Sequence, residues 1–237
     1  MSHALPPAIL FDMDDTLLAF SEGAKPCWQS ICREYAQRIE GIDSAALYDM
    51  IMATHSWFWS DAERHRTGRL DMDAARRDIV AMALARLGVH EPYLADEMAT
   101  AYTRQRDEAL HLFPQTIETL ERLRARGARL ALLTNGGGDV QRKKIERFGL
   151  ARLFDCIIVE GEFGVGKPDE RVFRHALQCL GVQPAQAWMV GDDLERDIRG
   201  AQQLGILAIW HDCAGRGLPL DSPIHPDHII HTLAELL

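Results

Sequence analysis

The amino-acid sequence predicts a doubly wound, Rossmann-like α/β core with a parallel five-stranded sheet, interrupted by an inserted all-helical domain. Three observations carry that expectation. Short continuous apolar runs recur along the chain, as they do in strands buried on both faces. Segments with apolar residues at three-to-four spacing separate the later runs, which is what the crossovers of a parallel sheet need. The long interval between the first run and the second holds helical periodicity only.

The first run, Ala8–Met13 (AILFDM), ends abruptly in acid. Pro26–Ile39, Ser44–Trp59, Asp73–Leu87 and Pro92–Leu110 then read as helices, punctuated by Gly41, Gly68 and Gly88. An interval of this length exceeds a crossover and reads as a separate helical bundle. The expected boundaries are therefore 1–17 and 111–237 for the core and 18–110 for the insert, and insertion after the first strand is expected to put the insert above the carboxyl ends of the strands. Thr116–Arg126 is the next helical pattern. Arg129–Thr134 (RLALLT) is the second strand, Val140–Phe148 a helix, Cys156–Val159 (CIIV) the third strand and Glu170–Leu180 a helix. Ala187–Val190 (AWMV), the helical Leu194–Leu204 and Ile206–Trp210 (ILAIW) complete the alternation.

The composition limits the partners. The 237 residues are 47 % hydrophobic, enough for a sizeable interior. With 26 Lys and Arg against 35 Asp and Glu, the formal charge of −9 disfavours nucleic acid and anionic membrane as partners. An anionic substrate must then be met by local positive charge or by a metal. The cysteines Cys27, Cys32, Cys156, Cys179 and Cys213 are odd in number and form no C-x-x-C pair, which argues against a disulfide framework or a zinc site and fits a reducing cytoplasm. Met1–Pro7 lacks a basic start followed by an apolar stretch, and no run of about 18 apolar residues suggests a membrane span.

Asp12 and Asp14 stand two residues apart at the end of the first strand; at a strand's rise their alpha carbons are roughly 6.6 Å apart and both side chains face one site. Ligands of open parallel sheets bind beyond the carboxyl ends of the strands where the order reverses, a rim that also collects Thr134, Lys167 and Asp192. Thr134-Asn135-Gly136-Gly137-Gly138 offers a hydroxyl, backbone amides and a helix start, an anion cradle or else an ordinary turn and helix cap. Gly191-Asp192-Asp193, with Asp197 on the following helix, brings the carboxylates to five. Like charges gathered this closely call for a cation, and hard carboxylate oxygens favour Mg²⁺. Lys167, one of four lysines, would offset negative charge that Mg²⁺ leaves uncompensated.

Asp12-x-Asp14-x-Thr16, Thr134 after the second strand, Lys167 before a proline and Gly191-Asp192-Asp193-x-x-x-Asp197 resemble, in order and spacing along the whole chain, the four motifs of the haloacid dehalogenase-like hydrolases. The insert is similar to that family's C1-type cap, and the chain to its nucleotidase and N-acylneuraminate-9-phosphatase-like subgroup. The resemblance implies a Mg²⁺-dependent phosphatase acting on a small phosphorylated metabolite through an aspartyl-phosphate. It makes Asp12 the nucleophile and Asp14 the acid and base. Mg²⁺ is then expected on the Asp12 carboxylate, the Asp14 carbonyl and Asp192. Thr134 and the Asn135 and Gly136 amides would hold phosphoryl oxygens, Lys167 would steady the charge, and Thr16, Asp193 and Asp197 would support the site.

Alternatives stay open at this point. The family's halide-removing branch lacks an acid two residues after the nucleophile, so Asp14 argues for phosphate esters over haloacids. A phosphomutase shares all four motifs. A receiver-like phosphoacceptor domain uses similar groups but has no purpose for the insert. Within the insert, Trp57, Phe58, Trp59, Arg64, His65, Arg66 and Arg69 either read a substrate's leaving group or divide between bundle interior and solvent. His225, His228 and His231 drift around a helix opened by Pro226 and do not make a metal face. The physiological substrate and the oligomeric state are not fixed by these residues.

Overall fold

The computed structural model describes residues 5–91 and 93–237; Met1–Ala4 and Pro92, the expected start of the last insert helix, lie outside the described residues. The chain divides into two compact units: residues up to Ala19 together with His111–Leu237, and Phe20–Leu110.

The first unit is a parallel sheet. Its strands are β1 (Ala8–Phe11), β2 (Arg129–Thr134), β3 (Cys156–Val159), β4 (Ala187–Gly191), β5 (Leu207–His211) and β6 (His228–Ile230), in the order β3-β2-β1-β4-β5-β6. The sheet thus has six strands where five were expected. The sixth replaces the anticipated terminal helix: Ile209 pairs with His228 and His211 with Ile230. β1 is buried along its whole length because it sits centrally, Phe11 pairing with Leu132 on one side and Val190 on the other. From β1 the sheet grows in two directions, so the gap beyond the carboxyl ends of β1, β2 and β4 is the switch point where ligands of such sheets bind. Helices α6 (Thr116–Ala125), α7 (Gly138–Arg147) and α9 (Glu170–Leu180), with the one-turn α8 (Glu160–Phe163) between the last two, connect the strands. Val172, Phe173, Ala176, Leu177 and Leu180 of α9 pack on Leu10, Ala131 and Met189 of the sheet. After β4, Leu194–Arg199 form a wide turn in which Ile198 N–H donates to the Asp193 carbonyl five residues back. The helix expected over Leu194–Leu204 is therefore a widened turn followed by the short α10 (Gly200–Gln202).

The second unit is helical throughout: α1 (Ala24–Ala36), α2 (Ser44–Ser60), α3 (Ala62–Gly68), α4 (Met72–Arg86) and α5 (Leu94–Ala109). Three of these start at an aspartate whose side chain accepts a backbone N–H: Asp43 from Ala46, Asp61 from Arg64 and Asp71 from Ala74. Such caps are worth about 1 kcal/mol each. The bundle interior holds Trp28 stacked on Tyr102 with centroids 3.9 Å apart, surrounded by Ile31, Leu47, Ile51, Val80 and Met98. The aromatic and basic residues of α2 and α3 separate. Phe58 is buried with Ala75 and Ile79, whereas exposed Trp57 is covered by the Arg64 guanidinium at 3.9 Å. Among the described residues, no helix is long and apolar enough to cross a membrane.

Candidate active site

β1 ends at Phe11, and Asp12 continues the ladder by one bond, its N–H donating to the Val190 carbonyl at 2.9 Å. The chain then leaves the sheet. Leu17 and Leu18 N–H both donate to the Met13 carbonyl, and Asp15 adopts φ +59°, a left-handed conformation that aspartate tolerates better than most residues. Strand alternation therefore does not extend to Asp14. The two carboxylates take different hydrogen-bond partners, while Asp14 stays near enough to add to the rise of the Asp12 carboxyl.

Around Asp12 the site is buried and acidic. Lys167 Nζ lies 2.5 Å from Asp12 Oδ1 and 2.7 Å from Asp197 Oδ1, and Thr16 donates to Asp12 Oδ2 at 3.2 Å. Carboxylate oxygens of Asp12, Asp192 and Asp197 fall within 4.8 Å of one another. Gly191 makes room for this: a Cβ there would run into the Asp197 carboxylate. Trp210, on β5, steadies the Asp192 backbone by donating to its carbonyl at 2.6 Å.

Asp193, expected with the cluster, turns away. Its carboxylate accepts the backbone N–H groups of Glu195 and Arg196 and pairs with the Arg196 guanidinium at 2.7 Å. Of five carboxylates expected together, three converge.

The Asp14 side chain belongs to a second cluster. Lys144 Nζ donates to its two oxygens at 2.9 and 2.7 Å, and Gln141 Nε2 donates to Oδ2 at 3.0 Å. The same Gln141 nitrogen lies 2.6 Å from Thr134 Oγ1 and 2.8 Å from the Asn135 carbonyl. Asn135 holds the loop of Lys167 through its side chain, donating to the Lys167 carbonyl and accepting its N–H, each at 2.8 Å. The anion cradle is also smaller than expected, because the Gly136 N–H already donates to the Glu160 carboxylate at 2.9 Å. Gln141, Lys144, Glu160 and Trp210 were not anticipated. The available signal was a polar pair at i and i+3 in the first turns of α7, which can occupy one helix face.

The electrostatics follow from crowding. Burial pushes the Asp12 carboxyl up to about 7, with Asp197 and Asp14 adding to the rise and Lys167 opposing it. Asp192 is raised well above the usual carboxylate range by burial and then by Asp12 and Asp197, and Asp197 is raised by burial against the pull of Lys167. Burial alone would lower Lys167, but Asp12 and Asp197 reverse this and hold it above its ordinary value. One ammonium cannot neutralise three carboxylates. The remaining negative charge and the all-oxygen donor set fit a hard divalent cation such as Mg²⁺.

The family described as haloacid dehalogenase-like hydrolase matches residues 6–205. The chain is 35 % identical over 247 aligned residues to a phosphoserine phosphatase of Thermus thermophilus, covering 96 % of each. It is 37 % identical over 150 residues to the N-acylneuraminate-9-phosphatase of Rattus norvegicus, covering 63 % of this chain and 60 % of that protein. Among solved structures it is similar to a 2-haloacid dehalogenase from Pseudomonas syringae, with a TM-score of 0.63 and 30 % identity over 98 % of this chain and 96 % of the other.

Proposed function

The chain belongs to the haloacid dehalogenase-like hydrolase family, and on that premise we propose that it is a Mg²⁺-dependent phosphatase that hydrolyses a small phosphate monoester through an aspartyl-phosphate on Asp12. The reading rests on one observation. At the switch point of the sheet, Asp12 shares a buried pocket with Lys167 and two further carboxylates, while Asp14, two residues on, has donors of its own.

In the first half-reaction an Asp12 oxygen forms a bond to phosphorus as the bond from phosphorus to the ester oxygen breaks. The electron pair stays on the departing oxygen, which takes a proton from Asp14 and leaves as the alcohol. In the second, water gives a proton to Asp14 as its oxygen attacks phosphorus. The bond to Asp12 breaks, inorganic phosphate leaves, and Asp14 is again protonated. Thr134 holds a phosphoryl oxygen and Lys167 balances charge as it builds up. Asp12 and Asp192, with the Asp14 carbonyl, would hold the metal, and Asp197, tied to Lys167, would orient this group. When bound, Mg²⁺ neutralises charge on the nucleophile and on the transferring phosphoryl group. The helical insert, 18–110 in this reading, is the family's C1-type cap.

A dehalogenase is the second reading, favoured by the likeness to the Pseudomonas syringae enzyme. Breaking a carbon–halogen bond needs no proton on the leaving group, so a carboxyl supplied with two buried donors has no task there. The test is turnover of p-nitrophenyl phosphate with Mg²⁺. The wild type is expected to release phosphate, and Asp12→Asn to be inactive yet folded by circular dichroism. Undiminished hydrolysis by Asp12→Asn sinks the assignment. A phosphomutase would place the phosphate on a second hydroxyl instead of releasing it to water.

A further inference from the structure

We propose that Lys144 and Gln141 are positioning residues for the acid–base carboxylate of Asp14, and that they fit this enzyme to unactivated alkyl phosphate esters. The proposal deepens the phosphatase reading and rests on it.

Both side chains are buried, Gln141 2 % and Lys144 8 % exposed, on a helix that begins directly after the Thr134 loop. A lysine is rarely withdrawn from water unless a partner repays its desolvation. Here the ammonium donates to both Asp14 oxygens, and Gln141 adds a third contact on Oδ2. An aspartate beyond its strand has rotamer freedom about two side-chain bonds; three contacts from a single helix remove it. Gln141 does more than orient Asp14. Its amide nitrogen also meets Thr134 Oγ1 and the Asn135 carbonyl, so the proton carrier and the hydroxyl facing the phosphoryl group are tied to one side chain.

Such a link matters only where proton transfer does. An alkoxide cannot leave phosphorus without a proton delivered at hydrogen-bond distance, whereas p-nitrophenolate is a stable anion and leaves unaided. A displaced Asp14 therefore damages the first half-reaction with alkyl esters alone. It damages water attack with either substrate.

The experiment compares an alkyl phosphate, glycerol phosphate, with p-nitrophenyl phosphate in the full-length Mg²⁺-loaded protein. Because kcat/KM reports only steps through departure of the leaving group, Lys144→Met is expected to lower it about 100-fold for the alkyl ester. For p-nitrophenyl phosphate kcat/KM should hold while kcat falls. Lys144→Arg, which keeps a cationic donor, should recover most of the alkyl activity. Equal losses in kcat/KM on both substrates would overturn the proposal, since a merely structural lysine does not sense the leaving group. Should Lys144→Met not fold, Lys144→Gln, which removes the cation and leaves the Gln141–Thr134 contact in place, reads the same difference. An active Asp12→Asn would instead undo the phosphatase reading itself, so the two failures are distinguishable.

Discussion

Asp12 and Asp14 leave the same strand two residues apart and end in opposite surroundings. Asp12 sits among Asp192, Asp197 and Lys167, where negative charge outnumbers positive and the carboxyls are pushed up. Asp14 sits between Lys144 and Gln141, a balanced pair with an added amide. The first cluster is short of a cation and suits a site completed by a metal. In the second, the donors of Lys144 and Gln141 fix the direction of one carboxyl. One short stretch of backbone thereby supplies two carboxylates with different duties, the separation that a nucleophile and a proton carrier require.

The largest expected difference between the clusters is in stability. Lys167→Met strands buried carboxylates without their ammonium and should cost about 3–5 kcal/mol, whereas Lys144→Met, beside the partly solvated Asp14, should cost about 1–2 kcal/mol. Urea unfolding at neutral pH in EDTA measures both. Equal losses would mean that the crowding at Asp12 is not felt. The next test is the metal. Mg²⁺ at about a hundred times its dissociation constant stabilises the native state by about 2.7 kcal/mol. Asp192→Asn should remove most of that gain, and Asp14→Asn, which keeps its carbonyl, should retain it. Loss of the Mg²⁺ effect in Asp14→Asn would merge the two clusters into one.

A smaller contrast comes from glycines beside each cluster. An added Cβ at Gly191 meets the Asp197 carboxylate, while at Gly138 it meets the flexible Glu162 side chain at 3.3 Å. Gly191→Ala should cost about 1–3 kcal/mol and weaken Mg²⁺ binding, and Gly138→Ala should stay within about 0.5 kcal/mol of wild type. Thermal unfolding with and without Mg²⁺ distinguishes them.

The difference between the clusters also marks what a sequence can reveal. β2 and β3 were legible to the residue and the other three expected strands to within two, since continuous burial writes an apolar run. β6 was not, because it spans three residues of which Ile230 is the buried one. Asp12 and Asp192 directly follow strand ends and Thr134 closes β2, where topology assigns a place before any contact is known, and Lys167 lies in the loop that follows β3 and α8. Gln141 and Lys144 were hidden because a polar residue in a helix is normally solvated. Only tertiary packing turns this pair onto Asp14. For a related reason the chain order gives no hint that Glu160 accepts the Gly136 N–H.

The last contrast is one of pH and concerns a buried ring beside Asp15 and Thr16, in the turn that carries Asp14. His211, at the end of β5, is 2 % exposed, packs edge-on against Phe113 at 5.3 Å, and among the described residues its Nδ1 has no hydrogen-bond partner. Burial lowers its pKa from the ordinary 6.5, although backbone groups of His231, Thr16 and Asp15 pull the other way. A lowered folded value means that the unfolded chain takes up a proton first on acidification. The stability tied to the neutral ring is thus whole above 6.5 and is lost as the pH falls from there through the folded value. His211→Phe keeps an aromatic ring against Phe113 and removes the titration. Urea unfolding at a series of pH values below neutrality should show the wild type losing stability more steeply than His211→Phe, by up to about 1.4 kcal/mol per pH unit for one proton. Parallel profiles would mean that this ring does not titrate with unfolding.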